Sequence, residues 1–592
     1  METGTGTGTG TGAGIGPGPN LGLMVESILS QMSLRQKIGQ MTIVGFPERF
    51  AGQLPDGILS LLEDPGVGGV GIFARNASDP AEMAELTTCL QDAARAAGAP
   101  VPLLISADQE GGIVLQVTAG TTAFPGNMAL AATGNPENAY ESARIIGLES
   151  LAMGINAVTA PDVDVNTDAD NPIIGVRAAS DDPQTVAAFG VRAVQGFASA
   201  GVLCMAKHFP GHGRTSQDSH LGVPVLPGSI DQIRAIDLPP FAAAIAAGAP
   251  AVMTAHIQSL ALDASGVPAT LSQSALTGLL RDELGFDGLV ITDCLEMGAI
   301  QQTVGTPQAA VQAVAAGADV VLMCHTLDLQ LRAIDELEKA VRSGVISCER
   351  VDESCRRVIR AKLEQVKFLR EAGWAGHPLP LPPLDLVGCA DHLRAEERIA
   401  RASVTLVRNS AGLLPLGKNG RHSHGQCSSG RRIAVVYPST MPRLRAEDSA
   451  DAESVLGEEI ARRVGDSCVF EVGVELFPSA EDTARAIGVA MSCDLVVAAT
   501  SSKTPEQEEA QGALVRALID TGRPVVACAI RNPYDLRAYP QVDTYMATYG
   551  YRPCSIRAAV EVMFGEAKPA GRLPVSIPGL HSRGHGLMSF SQ

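Results

Sequence analysis

The sequence predicts an α/β protein in which a (β/α)8 TIM barrel is followed by a second domain, a three-layer αβα sandwich. Two observations predict the barrel. Eight short runs rich in Val, Ile, Leu and Gly recur at 41–46, 67–73, 101–108, 155–162, 202–208, 251–256, 289–293 and 319–323, apolar without alternation, as expected of parallel strands buried on both faces. Polar residues gather where these runs end: Asp108-Gln109-Glu110 after the third, Asp162 and Asp164 after the fourth, Lys207-His208 after the fifth, His256 after the sixth and Asp293 after the seventh. Structural charges have no reason to choose one end of five strands, whereas barrel active sites sit at the carboxyl ends. An open doubly wound sheet is the alternative; the eight units, with no GxGxxG phosphate turn after the first strand, favour the barrel.

A helical stretch at 25–40 precedes the first strand, and Ala-rich helical segments at 80–97, 136–153, 182–200 and 230–247 separate later ones. At 373–383 the pattern changes. The only Trp, Trp374, and the run PLPLPP read there as an extended Pro-rich linker. Beyond it, strand-like runs at 403–407, 433–437, 468–472, 495–500, 524–530 and 543–548 and helical segments at 451–464, 480–491 and 505–520 predict the second α/β domain. The expected organisation is a Gly/Thr-rich disordered tail at 1–22, the barrel at 23–370, the linker at 371–392 and the sandwich at 393–592.

Composition excludes several functions. The chain has 592 residues and a formal charge of −19, with no Lys/Arg-rich run, which argues against a nucleic-acid binder and against docking on anionic membranes. No stretch reaches 18 uninterrupted apolar residues, and the N-terminus has neither a cationic start nor an apolar run of the secretory kind. The 12 Cys are scattered without CxxC spacing, so they read as reduced thiols in a cytoplasmic protein and not as metal ligands. A polar loop at 418–432 holds His422, His424 and Cys427, and reads as solvated loop in preference to a metal site.

The sharpest chemistry lies at 207–224, KHFPGHGRTSQDSHLGVP. Asp218 and His220 are one residue apart, a spacing that lets the carboxylate hold one imidazole nitrogen while the other faces a substrate. A metal site from His208, His212 and His220 and a purely structural loop are the alternatives; the HExxH spacing of helical zinc sites is absent. In LVITDCLEMGAI, Asp293 closes an apolar strand, where a carboxylate serves as nucleophile or charge stabiliser, or more plainly as a helix N-cap. Asp108 in DQEGG, Asp162, Asn166, Arg177 in NPIIGVRAAS and Lys207-His208 supply the bidentate polar groups that grip sugar hydroxyls and an acyl oxygen.

These segments resemble the β-N-acetylglucosaminidases of glycoside hydrolase family 3. The likeness is carried by KHFPGHG…T…DSH, DQEGG…FPGNMAL, NPIIGVR, VMTAHI and the strand-Asp-xx-Glu-Met-Gly-Ala segment, and runs from about residue 37 to 366. It continues in ASVTLVRNSAGLLPL and AGRLPVSIP, which resemble the second domain of two-domain members. The resemblance implies a retaining mechanism with Asp293 as nucleophile and Asp218 with His220 as an acid/base dyad in place of the usual Glu. It places Asp108, Arg177, Lys207 and His208 on the sugar, with Gln116 and His256 as further substrate-binding positions. It implies no metal and no organic cofactor, and it makes phosphate a second acceptor, because a His left neutral after proton donation does not repel an anion.

Three positions depart from the family pattern: Ile113 and Gln116 replace usual arginines, and Arg214 replaces a usual Asp. The expected function is removal of terminal β-linked N-acetylglucosamine from small soluble glycosides such as chitobiose or peptidoglycan-type fragments, by a monomer or homodimer. β-Glucosidase and phosphorylase activities are the alternatives within the family. A sugar-binding protein that has lost turnover is the alternative outside it, and intact Asp293, Asp218 and His220 argue against that reading.

Overall fold

The computed structural model describes residues 21–220, 222–373, 379–417, 431–441 and 455–590. Each of the eight apolar runs forms a strand: β1 (Thr42–Val44), β2 (Gly69–Ile72), β3 (Leu104–Ala107), β4 (Ala157–Val158), β5 (Leu203–Phe209), β6 (Ala251–Thr254), β7 (Leu289–Cys294) and β8 (Val320–Met323). They close into a barrel in sequential order, every pairing parallel, with β1 meeting β8 through Thr42 opposite Val321 and Val44 opposite Met323. Nearly every strand residue is buried, because side chains on one face fill the barrel and those on the other meet the helices.

Two helical stretches are broken where the sequence reads as continuous. The 25–40 segment is two helices, Leu21–Gln31 and Leu34–Gln40. Ser33 starts the second with a capping box: its Oγ accepts from the Gln36 N–H at 3.2 Å, and Gln36 Oε1 accepts from the Ser33 N–H at 2.9 Å. The first helix starts at Leu21, inside the segment read as tail. The 230–247 segment is Ile230–Ile236 and Leu238–Ala246, divided at Asp237. Pro239 and Pro240 lack the N–H that would continue the first helix but suit the opening turn of the second.

The second domain holds a six-stranded sheet of β9 (Thr405–Asn409), β10 (Ile433–Pro438), β11 (Val469–Val474), β12 (Leu495–Thr500), β13 (Val525–Ala529) and β14 (Thr544–Ala547), in the order β9-β14-β13-β12-β10-β11. Five strands are parallel and β9 runs antiparallel to β14, so the sheet is mixed. Separate apolar clusters cover its two faces, the middle and outer layers of the sandwich. One of them also takes in Ile113, Met128, Ile173 and Val176 of the barrel domain beside Tyr534, Tyr545 and Tyr549, so the two domains share a core. The helix Ala390–Ser403 adds a tie, with His392 Nδ1 2.7 Å from Glu149 Oε1 of the barrel helix Glu137–Ala152. No helix among the described residues is long and apolar enough to cross a membrane. Trp374, the His422/His424/Cys427 loop and most of the 1–22 tail lie outside the described residues.

Candidate active site

A cavity of about 370 Å3 opens at the carboxyl ends of the barrel strands. Asp108, Arg177, Lys207, His208, His220 and Asp293 all line it. Asp108 follows β3, Lys207 and His208 come from β5, Asp293 from β7, and Arg177 from the short turn Gly175–Arg177. With His220 from the loop after β5, five separate stretches of chain thus converge at the mouth of the barrel.

Glu110, which sequence reasoning left without a role, anchors the two buried cations of the cavity, Arg177 and Lys207. It is buried, its carboxylate accepts from Arg177 Nη2 at 2.7 Å and Nε at 3.0 Å, and Lys207 Nζ stands 2.5 Å from the same Oε1. Burial pushes its carboxyl up, but Arg177 and Lys207 outweigh this and hold it at about 2. Burial likewise disfavours the Lys207 ammonium, and Glu110 and Asp108 restore it, Asp108 Oδ1 lying 3.1 Å away. Asp108 also accepts from Thr159 Oγ1.

His208 is held neutral. Burial, then the neighbouring Arg177 and Lys207, drive its imidazole well below its ordinary value. Its tautomer follows from its partners. Arg177 Nη2 can only donate, so Nε2 at 3.2 Å accepts, and Nδ1–H donates to Asp164 Oδ2 at 2.7 Å. Asp164 also accepts from the His212 N–H at 2.6 Å, which folds the 209–213 turn back onto the barrel. Asp162, Asp164 and His208 form the one group among the described residues whose potential metal-ligating atoms lie within 4.8 Å of one another. Its coordination space is occupied: the His208–Asp164 hydrogen bond spans it and the Arg177 guanidinium lies 3.8 Å from Asp162 Oδ2. His212 meets hydroxyls, Thr215 at 2.7 Å and Ser219 at 3.2 Å, so the set His208, His212 and His220 does not converge as ligands.

Asp218 and His220 form the pair that their spacing predicts. Asp218 Oδ1 lies 2.8 Å from His220 Nδ1 and accepts from the His220 backbone N–H at 2.9 Å. Burial raises the Asp218 carboxyl; its hydrogen bonds from His220 outweigh this and, with Lys503, hold it at about 2. The ionised carboxylate can only accept, so Nδ1 donates and Nε2 is the nitrogen left to carry a transferable proton. Asp218 itself stands behind His220, outside the cavity lining.

Asp293 accepts from the Cys294 N–H at 2.7 Å. Burial opposes its ionisation, but His256, His208 and this N–H together keep it below the ordinary carboxylate value. His256, expected on the substrate, lies behind Asp293 and outside the cavity lining: Nε2 donates to the Cys294 carbonyl at 3.0 Å and Nδ1 sits 2.8 Å from Thr270 Oγ1. Gln116, also expected on the substrate, is outside the cavity lining, with Oε1 accepting from the Ala74 N–H at 2.9 Å. A strand-end location marks His256 for the site without saying which side of the strand it faces, and Gln116 was expected there because it stands where the resemblance has an arginine.

The other departures are structural. Ile113 packs in the core shared with the second domain, where an arginine would bury a charge. Arg214 turns away from the cavity and clamps Asp237 at the break between helices, Nη2 to Oδ2 at 2.6 Å and Nε to the same oxygen at 3.0 Å. Asp237 is fully buried, and burial lifts its carboxyl to about 6 despite Arg214. Arg214→Ala should therefore cost about 3 kcal/mol in urea denaturation at neutral pH, by leaving that carboxylate unpaired. The folded site binds its proton more tightly than the unfolded chain. Without Arg214 the carboxyl is pushed higher still, so the loss should shrink as pH falls toward about 6, where the wild-type carboxyl also takes up its proton.

A parallel barrel with a buried carboxylate, a carboxylate-paired His and a cluster of charged side chains at its strand ends, sharing its core with a second α/β domain, is the architecture of a two-domain enzyme with its site at the barrel mouth. The glycosyl hydrolase family 3 N-terminal domain profile matches residues 33–361 and the family 3 C-terminal domain profile residues 404–586. The chain belongs to glycosyl hydrolase family 3 and is a glycoside hydrolase. It is 30% identical over 580 residues to beta-hexosaminidase A of Pseudoalteromonas piscicida, spanning 88% of this chain and 91% of that protein. It is 32% identical over 588 residues to a beta-N-acetylglucosaminidase/beta-glucosidase of Cellulomonas fimi, spanning 93% and 95%. The solved structure of a family 3 beta-N-acetylglucosaminidase from Paenibacillus sp. str. FPU-7 superposes with a TM-score of 0.83 at 37% identity, covering 92% of this chain and 99% of that one.

Proposed function

We propose that the protein is a retaining exo-β-N-acetylglucosaminidase that removes terminal β-linked N-acetylglucosamine from small soluble glycosides such as chitobiose or peptidoglycan-type fragments. The observation that carries the reading is one cavity lined by both an ionised carboxylate, Asp293, and the imidazole of the Asp218–His220 pair. The names of the relatives in Pseudoalteromonas, Cellulomonas and Paenibacillus support the sugar class.

In this mechanism Asp108, Arg177, Lys207 and His208 hold the sugar ring. Asp293 attacks the anomeric carbon while His220 gives its Nε2 proton to the leaving oxygen. The glycosyl ester on Asp293 is then cleaved by water, whose proton returns to His220. Two displacements restore the β configuration. Asp218 stabilises the imidazolium and fixes its tautomer throughout. The cavity, near the small end of the roughly 300–1,000 Å3 range of ligand sites, suits one terminal sugar and thus exo action. The eleven described cysteines are all free thiols, which supports a cytoplasmic location.

The test pairs 4-nitrophenyl β-N-acetylglucosaminide with the matching glucoside. The proposal expects kcat/KM to favour the N-acetyl substrate by at least about tenfold; equal or better turnover of the glucoside overturns the sugar assignment. A second reading, phosphorolysis, is favoured by the His base, which is neutral when the acceptor arrives and so tolerates an anion. It requires N-acetylglucosamine 1-phosphate to accumulate when phosphate is added.

A further inference from the structure

The Asp218–His220 pair has a third member, and it comes from the other domain. Lys503 Nζ lies 3.5 Å from Asp218 Oδ2, the oxygen opposite the one that holds the imidazole. Both side chains are mostly buried, 16% and 9% exposed. Lys503 occupies the turn between β12 and the helix Pro505–Asp520, at the carboxyl edge of the second sheet. That turn is pinned from three directions. The Lys503 N–H donates to Gln507 Oε1 at 2.9 Å, the Ser501 N–H donates to Gln511 Oε1 at 2.8 Å, and Ser502 Oγ donates to the buried Asp535. The ammonium is therefore delivered by a rigid support, while Asp218 sits on a loop with little regular structure.

We propose that Lys503 is a positioning residue of the acid/base pair, through which the second domain orients Asp218 and strengthens His220 as a proton donor. This rests on the acid/base reading given under Proposed function. The charge logic is specific. In the first step the pair passes from imidazolium–carboxylate to imidazole–carboxylate, a loss of one positive charge. A fixed cation beside the carboxylate favours the state after transfer, so it eases proton release to the leaving oxygen. Among the described residues, Asp218, Asp293 and His256 also interact with the His220 charge, and all three belong to the barrel domain. Lys503 does not line the cavity, so its action is through Asp218.

The experiment compares Lys503→Met and Lys503→Arg with Asp218→Asn and His220→Ala in the full-length protein. The substrates are chitobiose, whose leaving group needs a proton, and the 2,4-dinitrophenyl N-acetylglucosaminide, whose leaving group does not. Lys503→Met should lose roughly tenfold in kcat/KM on chitobiose and under about threefold on the dinitrophenyl substrate. Its alkaline pH limb on chitobiose should move up by roughly half a unit or more, because the imidazolium no longer has a cation opposing it. Lys503→Arg, which keeps the charge, should recover most of the loss and, should Lys503→Met unfold, carries the comparison with Lys503→Gln. Equal losses on both substrates with an unmoved pH limb, or no loss, overturn the proposal. If Asp218→Asn and His220→Ala also show no leaving-group dependence, the acid/base reading falls with it; if they do and Lys503→Met does not, this inference alone falls.

Discussion

Asp293→Ala should lower kcat by about 10⁴-fold or more while leaving the fold intact. The side chain lies at the end of β7 and is kept ionised by its surroundings, so the wild-type protein pays a desolvation cost for a ready nucleophile. Removing the carboxylate relieves that cost, and the thermal midpoint should stay the same or rise. Azide should restore part of the turnover of a dinitrophenyl glycoside by entering the space vacated by the carboxylate. The azide then attacks the face that Asp293 used, so the product should be the α-glycosyl azide. Activity surviving in Asp293→Ala without azide contradicts the assignment.

Glu110→Ala should produce the largest loss of stability among the site residues, about 3–5 kcal/mol in urea denaturation at neutral pH. Its carboxylate is the shared counter-ion of two buried cations, Arg177 and Lys207, and no other carboxylate contacts both so closely. Activity should fall as well, chiefly through KM, because in the proposed mechanism those cations hold the sugar. Glu110→Gln keeps the shape and some hydrogen bonds and should lie between the two. The linkage has a definite sign. The folded carboxyl is depressed to about 2, so its contribution is complete above the unfolded value of about 4.3 and is lost as pH falls from there toward about 2. A Glu110→Ala protein as stable as wild type at pH 7 contradicts this account of the site.

The barrel was legible because its chemistry is local. Each strand is a short apolar run, and five of the eight runs end in residues too polar for the barrel core, so both the strands and the active end show in the residue order. The Asp218–His220 pair is equally local, one residue apart. Most of what the sequence did not show depends on contacts between distant segments, the exception being a local capping box. Ser33 divides a helical run because Gln36 completes its capping box, and Asp237 divides another where Arg214 meets it from a loop after β5. Gln116 and His256 have the right polarity near the right strands, yet their side chains satisfy the backbone at Ala74 and Cys294. Glu110 stands within the DQEGG segment, but two cations from other parts of the chain give it its role. Ile113 is explained only by a second domain that covers it.

The second domain is more than an appendage in this structure. It supplies aromatic residues to the core beneath the Arg177 turn and fixes that side of the barrel: Asn166 Nδ2 donates to Tyr534 Oη at 3.0 Å, and Arg552 Nε donates to the Gly112 carbonyl at 2.6 Å. The DQEGG turn and the Arg177 turn, which carry Asp108, Glu110 and Arg177, are therefore held from both domains.

The most direct test of the central claim is to trap the intermediate with 5-fluoro-N-acetylglucosaminyl fluoride and locate the label by peptide mass spectrometry. The account predicts a single sugar ester on the peptide containing Asp293, absent from Asp293→Ala. A label on another residue, or full turnover with no ester and inversion at the anomeric carbon, contradicts it.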